Sequence, residues 1–247
     1  MERPYVISLA GLDPSGGAGL LADIKTFEAH QTYGLGVCTA LTVQTDSKFL
    51  SVDWLSADRI IAQAAPLLEQ YKPAYCKIGI VSGVPVLLEV VRALHRLRPG
   101  IRIILDPVLK ASAGFDFHTG AAAWQEVLPY LYLLTPNYDE ALALGNNPAQ
   151  DGHEAAAQLS RHCAVLLKGG HHPGRKGWDV LYTKETEYLL RPGGRQAYAK
   201  HGSGCVLSAA ITAQLALGHS LPNACINGKA YTEKFLSSHP SLLGFHS

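Results

Sequence analysis

The chain has 247 residues, 47% of them hydrophobic and 24 of them glycine. That is long enough for one large α/β domain with a substantial core, and no linker, charge block or repeat divides residues 1–247. Lys and Arg (21) nearly balance Asp and Glu (20), for a net charge of +1 without a basic stripe. This balance argues against a nucleic-acid partner, and the lack of a basic-flanked leader or a transmembrane-length run leads to the expectation of a cytoplasmic protein.

In chain order, Tyr5–Ala10 reads as a buried strand, followed by the loop Gly11-Leu12-Asp13-Pro14-Ser15-Gly16-Gly17 and a helix over Ala18–Ala29. A second strand spans Gly36–Gln44, and a loop is expected through Leu55. Ser56 can cap a helix reaching Tyr71. Strand Ala74–Gly79, helix Val84–Leu97 and strand Arg102–Leu105 follow, the last ending in Asp106-Pro107. Helix Thr119–Leu128, strand Leu131–Leu134, helices Tyr138–Leu144 and Gly152–Arg161, and strand Ala164–Leu167 come next. Asp179–Thr183 and Tyr188–Leu190 suggest a hairpin, and helices Ser203–Leu217 and Leu221–Ser238 close the pattern. Repeated βα units of this length imply a mainly parallel sheet covered on both faces and joined by right-handed crossovers.

Ligands bind such sheets beyond the carboxyl ends of the strands. The polar residues expected there are Gly11 and Asp13, Gln44, Asp106, Asn137 with Glu140, and Lys168-Gly169-Gly170. Each has an ordinary alternative: Asp-Pro and Pro-Asn are common turns, Asn137 could simply cap a helix, and Lys-Gly-Gly is often a plain loop. Their recurrence at one edge of one sheet favours a site. Asp106 and Glu140 could hold Mg²⁺ directly or through its waters, and Lys168 could neutralise nucleotide phosphate.

The segment Lys200-His201-Gly202-Ser203-Gly204-Cys205 places closely spaced glycines before a long apolar helix. A helix N-terminus there offers unpaired backbone N–H groups and the positive end of the dipole to an anion. Gly202, Ser203 and Gly204 could cradle a phosphoryl group in transfer, with Cys205 facing it from the first turn. A helix N-terminus would also be expected to lower the thiol's pKa. Together these residues suggest an ATP-dependent small-molecule kinase.

Three competing patterns fit less well. Gly17-Ala18-Gly19-Leu20-Leu21-Ala22 matches a dinucleotide-binding fingerprint, but Gly11 to Gly16 separate it from the strand, and Gly34–Val43 lacks the expected acidic residue. A Walker A sequence is absent. A cysteine hydrolase using His201 and Cys205 lacks an evident orienting acid nearby. The five cysteines have no C-x-x-C spacing, and four are expected to be core residues. The pairs His171-His172 and His162-Cys163 have no partners at metal-ligand spacing.

Ala10-Gly11-Leu12-Asp13-Pro14-Ser15-Gly16-Gly17-Ala18-Gly19, with Ala22-Asp23 and Lys25-Thr26-Phe27, resembles the N-terminal signature of the hydroxymethylpyrimidine/phosphomethylpyrimidine kinases of thiamine biosynthesis, in the ribokinase-like superfamily. Further matching segments are Ala40–Gln44, Lys77-Ile78-Gly79, Asp106-Pro107-Val108, Thr135-Pro136-Asn137 with Glu140-Ala141, Lys168–His171, and His201–Cys205 with Leu207–Ala210. The resemblance implies a three-layer αβα fold, ATP and Mg²⁺, and phosphorylation of the hydroxymethyl group of 4-amino-5-hydroxymethyl-2-methylpyrimidine, with a second phosphorylation in many relatives. It implies Gln44 on the pyrimidine, Gly11 and Asp23 near the substrate, Asp106 and Glu140 at the metal, Lys168 with Asn137 and Gly170 on the nucleotide, and Cys205 where most ribokinase-like enzymes carry a catalytic aspartate. A homodimer is usual in the family.

The chain departs from the family pattern at Gln44-Thr45-Asp46 and over Leu109–Gly114. These departures bear on substrate choice and the second phosphorylation more than on kinase chemistry. The alternatives are a pyridoxal or pyridoxamine kinase, or a non-catalytic vitamin-binding protein on the same fold.

Overall fold

A computed structural model describes residues 3–109, 124–145, 151–170 and 177–247. Its strands are β1 (Tyr5–Leu12), β2 (Tyr33–Gln44), β3 (Phe49–Trp54), β4 (Tyr75–Ile78), β5 (Arg102–Leu105), β6 (Leu133–Leu134), β7 (Ala164–Leu167), β8 (Asp179–Tyr182) and β9 (Glu187–Leu190). They form one sheet in the order β3-β2-β1-β4-β5-β6-β7-β8-β9. The six strands from β2 across to β7 are parallel, while β3, β8 and β9 join antiparallel at the two edges.

Helices are α1 (Gly19–Ala29), α2 (Ala57–Tyr71), α3 (Val84–Leu97), α4 (Trp124–Val127), α5 (Tyr138–Leu144), α6 (Gly152–Leu159), α7 (Ser203–Ala216) and α8 (Leu221–Ser237). Alternate residues of each central strand serve opposite faces. Ile7, Leu9, Ile78, Leu105 and Leu167 pack with α2, α3, α5 and α6. Val6, Ile104 and Leu166 face α1, α7 and α8. This is the expected three-layer αβα arrangement, and covering both faces explains why the central strands are almost continuous apolar runs. Helix α7 is buried along most of its length and has no polar stripe, as befits a helix over the middle of the sheet.

Three expectations change. The segment expected as a loop before Leu55 contains β3, an edge strand largely open to solvent that carries Ser51 and Asp53 among its apolar residues. A polar turn makes that hairpin: the Thr45 N–H donates to Lys48 O at 2.8 Å, and the Lys48 N–H donates to Thr45 Oγ1 at 3.1 Å. Strand β2 starts at Tyr33 because it pairs with β1 from Tyr5 onward. Of the four cysteines expected in the core, Cys76, Cys163 and Cys225 are buried and Cys38 is only half-buried, its thiol donating to Ala40 O.

Residues 119–123 of the expected helix, the 110–114 departure and the pair His171-His172 lie outside the described residues. Among the described residues, no helix is long and apolar enough to cross a membrane.

Candidate active site

Two glycine loops meet at the carboxyl edge of β1. Gly202 enters α7 at φ +75°, and a Cβ there would lie 2.1 Å from Gly17 O. Gly19 enters α1 at φ +58°, where a Cβ would lie 2.2 Å from Gly11 O. Only glycine permits both the left-handed backbone and this close approach. Asp13 joins the loops. Its carboxylate accepts from Ser15 N (2.8 Å), Ser15 Oγ (2.8 Å) and Ala18 N (2.9 Å), and lies 2.9 Å from His201 Nε2. Burial alone would raise the Asp13 pKa, but His201, Ser15 and the backbone donors outweigh it and hold the carboxyl below its ordinary value. No side chain caps α7, so the first N–H groups of Ser203, Gly204 and Cys205 are left to the loop's mouth.

Opposite that helix end lies a cluster of charges. Asp106, at the end of β5, is 1% exposed, and its Oδ1 accepts from Lys168 Nζ at 2.8 Å and from Thr135 Oγ1 at 3.3 Å. Lys168 Nζ also lies 3.7 Å from Glu140 Oε2. Burial opposes the Lys168 charge, but the Asp106 and Glu140 carboxylates hold the ammonium above its ordinary pKa. For Glu140, burial prevails over Lys168 and raises the carboxyl. A Cβ on Gly204 would stand 3.4 Å from both Asp106 Oδ2 and Lys168 Nζ, so the helix end and the charge cluster face each other across one narrow space.

Asp106 Oδ2 is buried without a hydrogen-bond partner. An orphaned carboxylate oxygen beside a lysine fits a small hard cation that keeps waters and phosphate oxygens as its other ligands. Among the described residues, no group of three metal-ligating side chains forms a ready-made cage.

Cys205 behaves differently from the expectation of a lowered pKa. Burial pushes its thiol up to about 11, with Lys77 and a hydrogen bond from the Gly19 backbone opposing and Asp23 and Asp106 adding to the rise. Desolvation thus outweighs the helix end. Neither ring nitrogen of His201 is hydrogen-bonded to the thiol: Nε2 is taken by Asp13 and Nδ1 is buried without a hydrogen-bond partner among the described residues. The orienting acid missing from the neighbouring sequence is therefore Asp13, but His201 turns to it without activating Cys205.

Asp23 is fully buried between α1 and the sheet rather than open to a ligand. It accepts from Lys77 Nζ at 2.7 Å and Ser8 Oγ at 2.5 Å, and so supports the site from below. Gly11 lies against Ile80, where a Cβ would meet the isoleucine at 2.5 Å. Gln44 ends β2, half-buried, with its Nε2 donating to Thr42 Oγ1 at 2.8 Å.

Asn137 forms a reciprocal cap with Glu140: Glu140 N donates to Asn137 Oδ1 at 2.9 Å and Asn137 N donates to Glu140 Oε2 at 2.7 Å. The capping alternative for Asn137 is realised, and it fixes Glu140 beside Lys168. Gly170 is exposed next to that lysine. Sequence reasoning missed the anchor of this loop. Gly169 N donates to Asp179 Oδ1 at 2.8 Å, Lys229 Nζ donates to Asp179 Oδ2 at 2.9 Å and Gly177 O at 2.6 Å, and Gly177 N returns to Gly169 O at 2.9 Å. This closed circuit ties α8 to the loop behind Lys168. Its signals in the sequence are a lysine among the small and apolar residues of one helix face, Ala224, Cys225 and Gly228, and an aspartate opening a strand.

A mainly parallel αβα sheet with a glycine-framed helix end facing a buried Asp–Lys pair defines a ribokinase-like small-molecule kinase. The chain matches the model of the phosphomethylpyrimidine kinase family over residues 13–246 and belongs to that family. It is 36% identical over 241 residues to the hydroxymethylpyrimidine/phosphomethylpyrimidine kinase of Rhizobium meliloti, covering 94% of this chain and 90% of the relative. Among solved structures, it resembles the phosphomethylpyrimidine kinase of Clostridium difficile at 31% identity and TM-score 0.79, covering 94% of this chain and 99% of that one. It also resembles the pyridoxal kinase of Staphylococcus aureus in complex with AMP-PCP at 27% identity and TM-score 0.82, covering 96% and 89% respectively.

Proposed function

We propose that this protein transfers the γ-phosphoryl group of ATP to the hydroxymethyl group of 4-amino-5-hydroxymethyl-2-methylpyrimidine, and then to the resulting monophosphate, with residues 1–247 acting as one catalytic domain. The observation that carries the reading is the narrow space in front of Gly204, where an added Cβ would lie 3.4 Å from both Asp106 Oδ2 and Lys168 Nζ, at a helix N-terminus that no side chain caps. Phosphoryl transfer is catalysed mainly by positioning and charge stabilisation, and this space supplies backbone donors, an ammonium and a free carboxylate oxygen.

In this reading Lys168 neutralises phosphate charge, with Gly170 and Asn137 bordering the nucleotide. Asp106 and, through water, Glu140 would hold Mg²⁺, which supplies charge neutralisation at the phosphates. The backbone of Gly202, Ser203 and Gly204 receives the transferring group, Gln44 and Gly11 bound the acceptor ring, and Asp23 supports them from beneath. Because the Cys205 thiol stays protonated near neutral pH, it orients the acceptor hydroxyl instead of deprotonating it beforehand. In a loose transition state the hydroxyl proton leaves late, which suits a thiol in that role.

The partners in this reading are ATP and a small acceptor, not nucleic acid or membrane, and the setting is the cytoplasm, where thiols stay reduced. A homodimer is part of the proposal. It is supported by Leu41 (49% exposed), Val43 (51%) and Leu50 (69%) on the β2–β3 edge hairpin, and light scattering on the purified protein tests it.

The function is tested by following ADP release with hydroxymethylpyrimidine, its monophosphate, pyridoxal and ribose offered in parallel with ATP and Mg²⁺. The highest kcat/KM is expected for the pyrimidines. A preference for pyridoxal would move the assignment to a vitamin B6 kinase, and no turnover with any acceptor would favour a binding protein.

A further inference from the structure

Thr42 lies beneath Gln44 on β2, 7% exposed, and makes two hydrogen bonds with its one hydroxyl. Its Oγ1 donates to Leu12 O at 2.8 Å and receives Gln44 Nε2 at 2.8 Å. A carbonyl oxygen carries no proton, so the Leu12 contact consumes the only proton the hydroxyl has. Toward Gln44 the hydroxyl can therefore only accept. The nitrogen end of the amide must face it, because a flipped amide would set two lone pairs against each other.

From this proton accounting we infer that Thr42 is a positioning residue that sets the direction in which Gln44 reads the acceptor ring. The inference rests on the function proposed above. In this role the N–H directed away from the amide oxygen is the one spent on Thr42, which leaves the oxygen and the N–H beside it to face the ring. A 4-aminopyrimidine answers with an amino donor beside a ring-nitrogen acceptor, and this pairing is satisfied in one orientation of the ring only. Reversing the amide would swap the donor and acceptor positions, turn the ring over and carry its hydroxymethyl arm away from Cys205. A phenol can donate or accept, so pyridoxal tolerates either amide orientation. Thr42 therefore contributes selectivity for the aminopyrimidine without touching it.

The test compares wild type, Thr42→Val, Thr42→Ser and Gln44→Leu. Valine keeps the β-branched shape and removes the hydroxyl, whereas serine keeps the hydroxyl. kcat/KM is measured for hydroxymethylpyrimidine and for pyridoxal, together with the KM for ATP and the Tm. Thr42→Val should lower kcat/KM for hydroxymethylpyrimidine by about tenfold or more, chiefly through KM, and shift pyridoxal by less than about threefold. The ATP KM should stay put, and Thr42→Ser should retain wild-type selectivity.

If Thr42→Val does not fold, Thr42→Ala, which opens space instead of burying a methyl, carries the same expectation. A selectivity ratio unchanged in the hydroxyl-free variant but reduced in Gln44→Leu overturns the role of Thr42 and leaves Gln44 as the ring reader. A ratio unchanged in Gln44→Leu as well overturns the ring-reading assignment itself. Equal losses for both substrates and for ATP would show a structural residue and overturn the inference too.

Discussion

Replacing Gly204 with alanine separates stability from catalysis, because the two should move in opposite directions. Gly204 sits in the first turn of α7, and a Cβ there would make only ordinary contacts, 3.4 Å to Asp106 Oδ2 and 3.4 Å to Lys168 Nζ. No backbone has to move, and alanine is the better helix former by about 0.5–1 kcal/mol. The variant should therefore fold at least as well as wild type, with a Tm raised by roughly 1–4 °C for a chain of this size. The new methyl, however, fills the space in which a phosphoryl oxygen would meet Lys168 and the free oxygen of Asp106. A displacement of about 1 Å at the reacting group costs on the order of 10²-fold in rate, so kcat/KM should fall by about that much or more. Differential scanning fluorimetry and a coupled ADP assay on the same preparation read both quantities. Wild-type kcat/KM in Gly204→Ala would refute the placement of the phosphoryl group, and a Tm lowered by several degrees would refute the claim that the space is open.

Cys205→Ala should lower kcat by about 10²-fold with little change in KM, since the thiol orients the hydroxyl as it attacks. In a Cys38→Ala background, alkylation of Cys205 should accelerate steadily up to pH about 11, and a plateau near neutrality would overturn the protonated-thiol assignment. Asp106→Asn and Glu140→Gln should lose activity that high Mg²⁺ partly restores, whereas a loss that ignores Mg²⁺ would assign these carboxylates elsewhere. Asp179→Ala leaves the buried Lys229 ammonium without its main partner and should cost about 3–5 kcal/mol in denaturant unfolding, with Lys229→Met restoring part of it in the double variant. Burial, with Lys25 and His30, lowers the His246 pKa to about 4. The unfolded chain then takes up a proton near pH 6.5 that the folded protein refuses, so stability is complete above that pH, falls toward pH 4 and levels off below it. After discounting for partial exposure, the loss should be about 1–2 kcal/mol, and His246→Gln should flatten that limb.

The layers of the fold were legible because the central strands are buried on both faces. Arg102–Leu105 and Ala164–Leu167 are short apolar runs that stop at a charged residue where the strand ends, so strand and ligand edge are written in the same pattern, whereas β1 runs past Gly11, expected to open a loop, to Leu12 because both residues pair with β2. Strand β3 was not legible, because an edge strand with one side in solvent carries Ser51 and Asp53 among its apolar residues. The site's inventory was readable in the same way. Asp106, Glu140, Lys168 and the Gly202–Cys205 loop each follow a strand or open a helix, and local sequence is enough to place a residue at such an end.

Which of these groups touch, and in what protonation state, was decided by tertiary packing. Asp13 and His201 are 188 residues apart, Lys168 and Asp106 are 62 apart, and Lys77 and Asp23 are 54 apart, so no local pattern could pair them. The Cys205 thiol was expected to be lowered by its helix end, a local effect that the sequence displays. It is raised, although the residue is only half-buried, because desolvation by the groups packed around the sulfur outweighs the helix end, and that depends on distant segments. The sequence alone thus determined which chemistry-bearing residues stand at the carboxyl edge, because strand ends and helix starts are local. Tertiary structure alone decided which of them are braces, which are free to meet a ligand and which protons they carry, because burial and pairing arise only when distant segments close around each other.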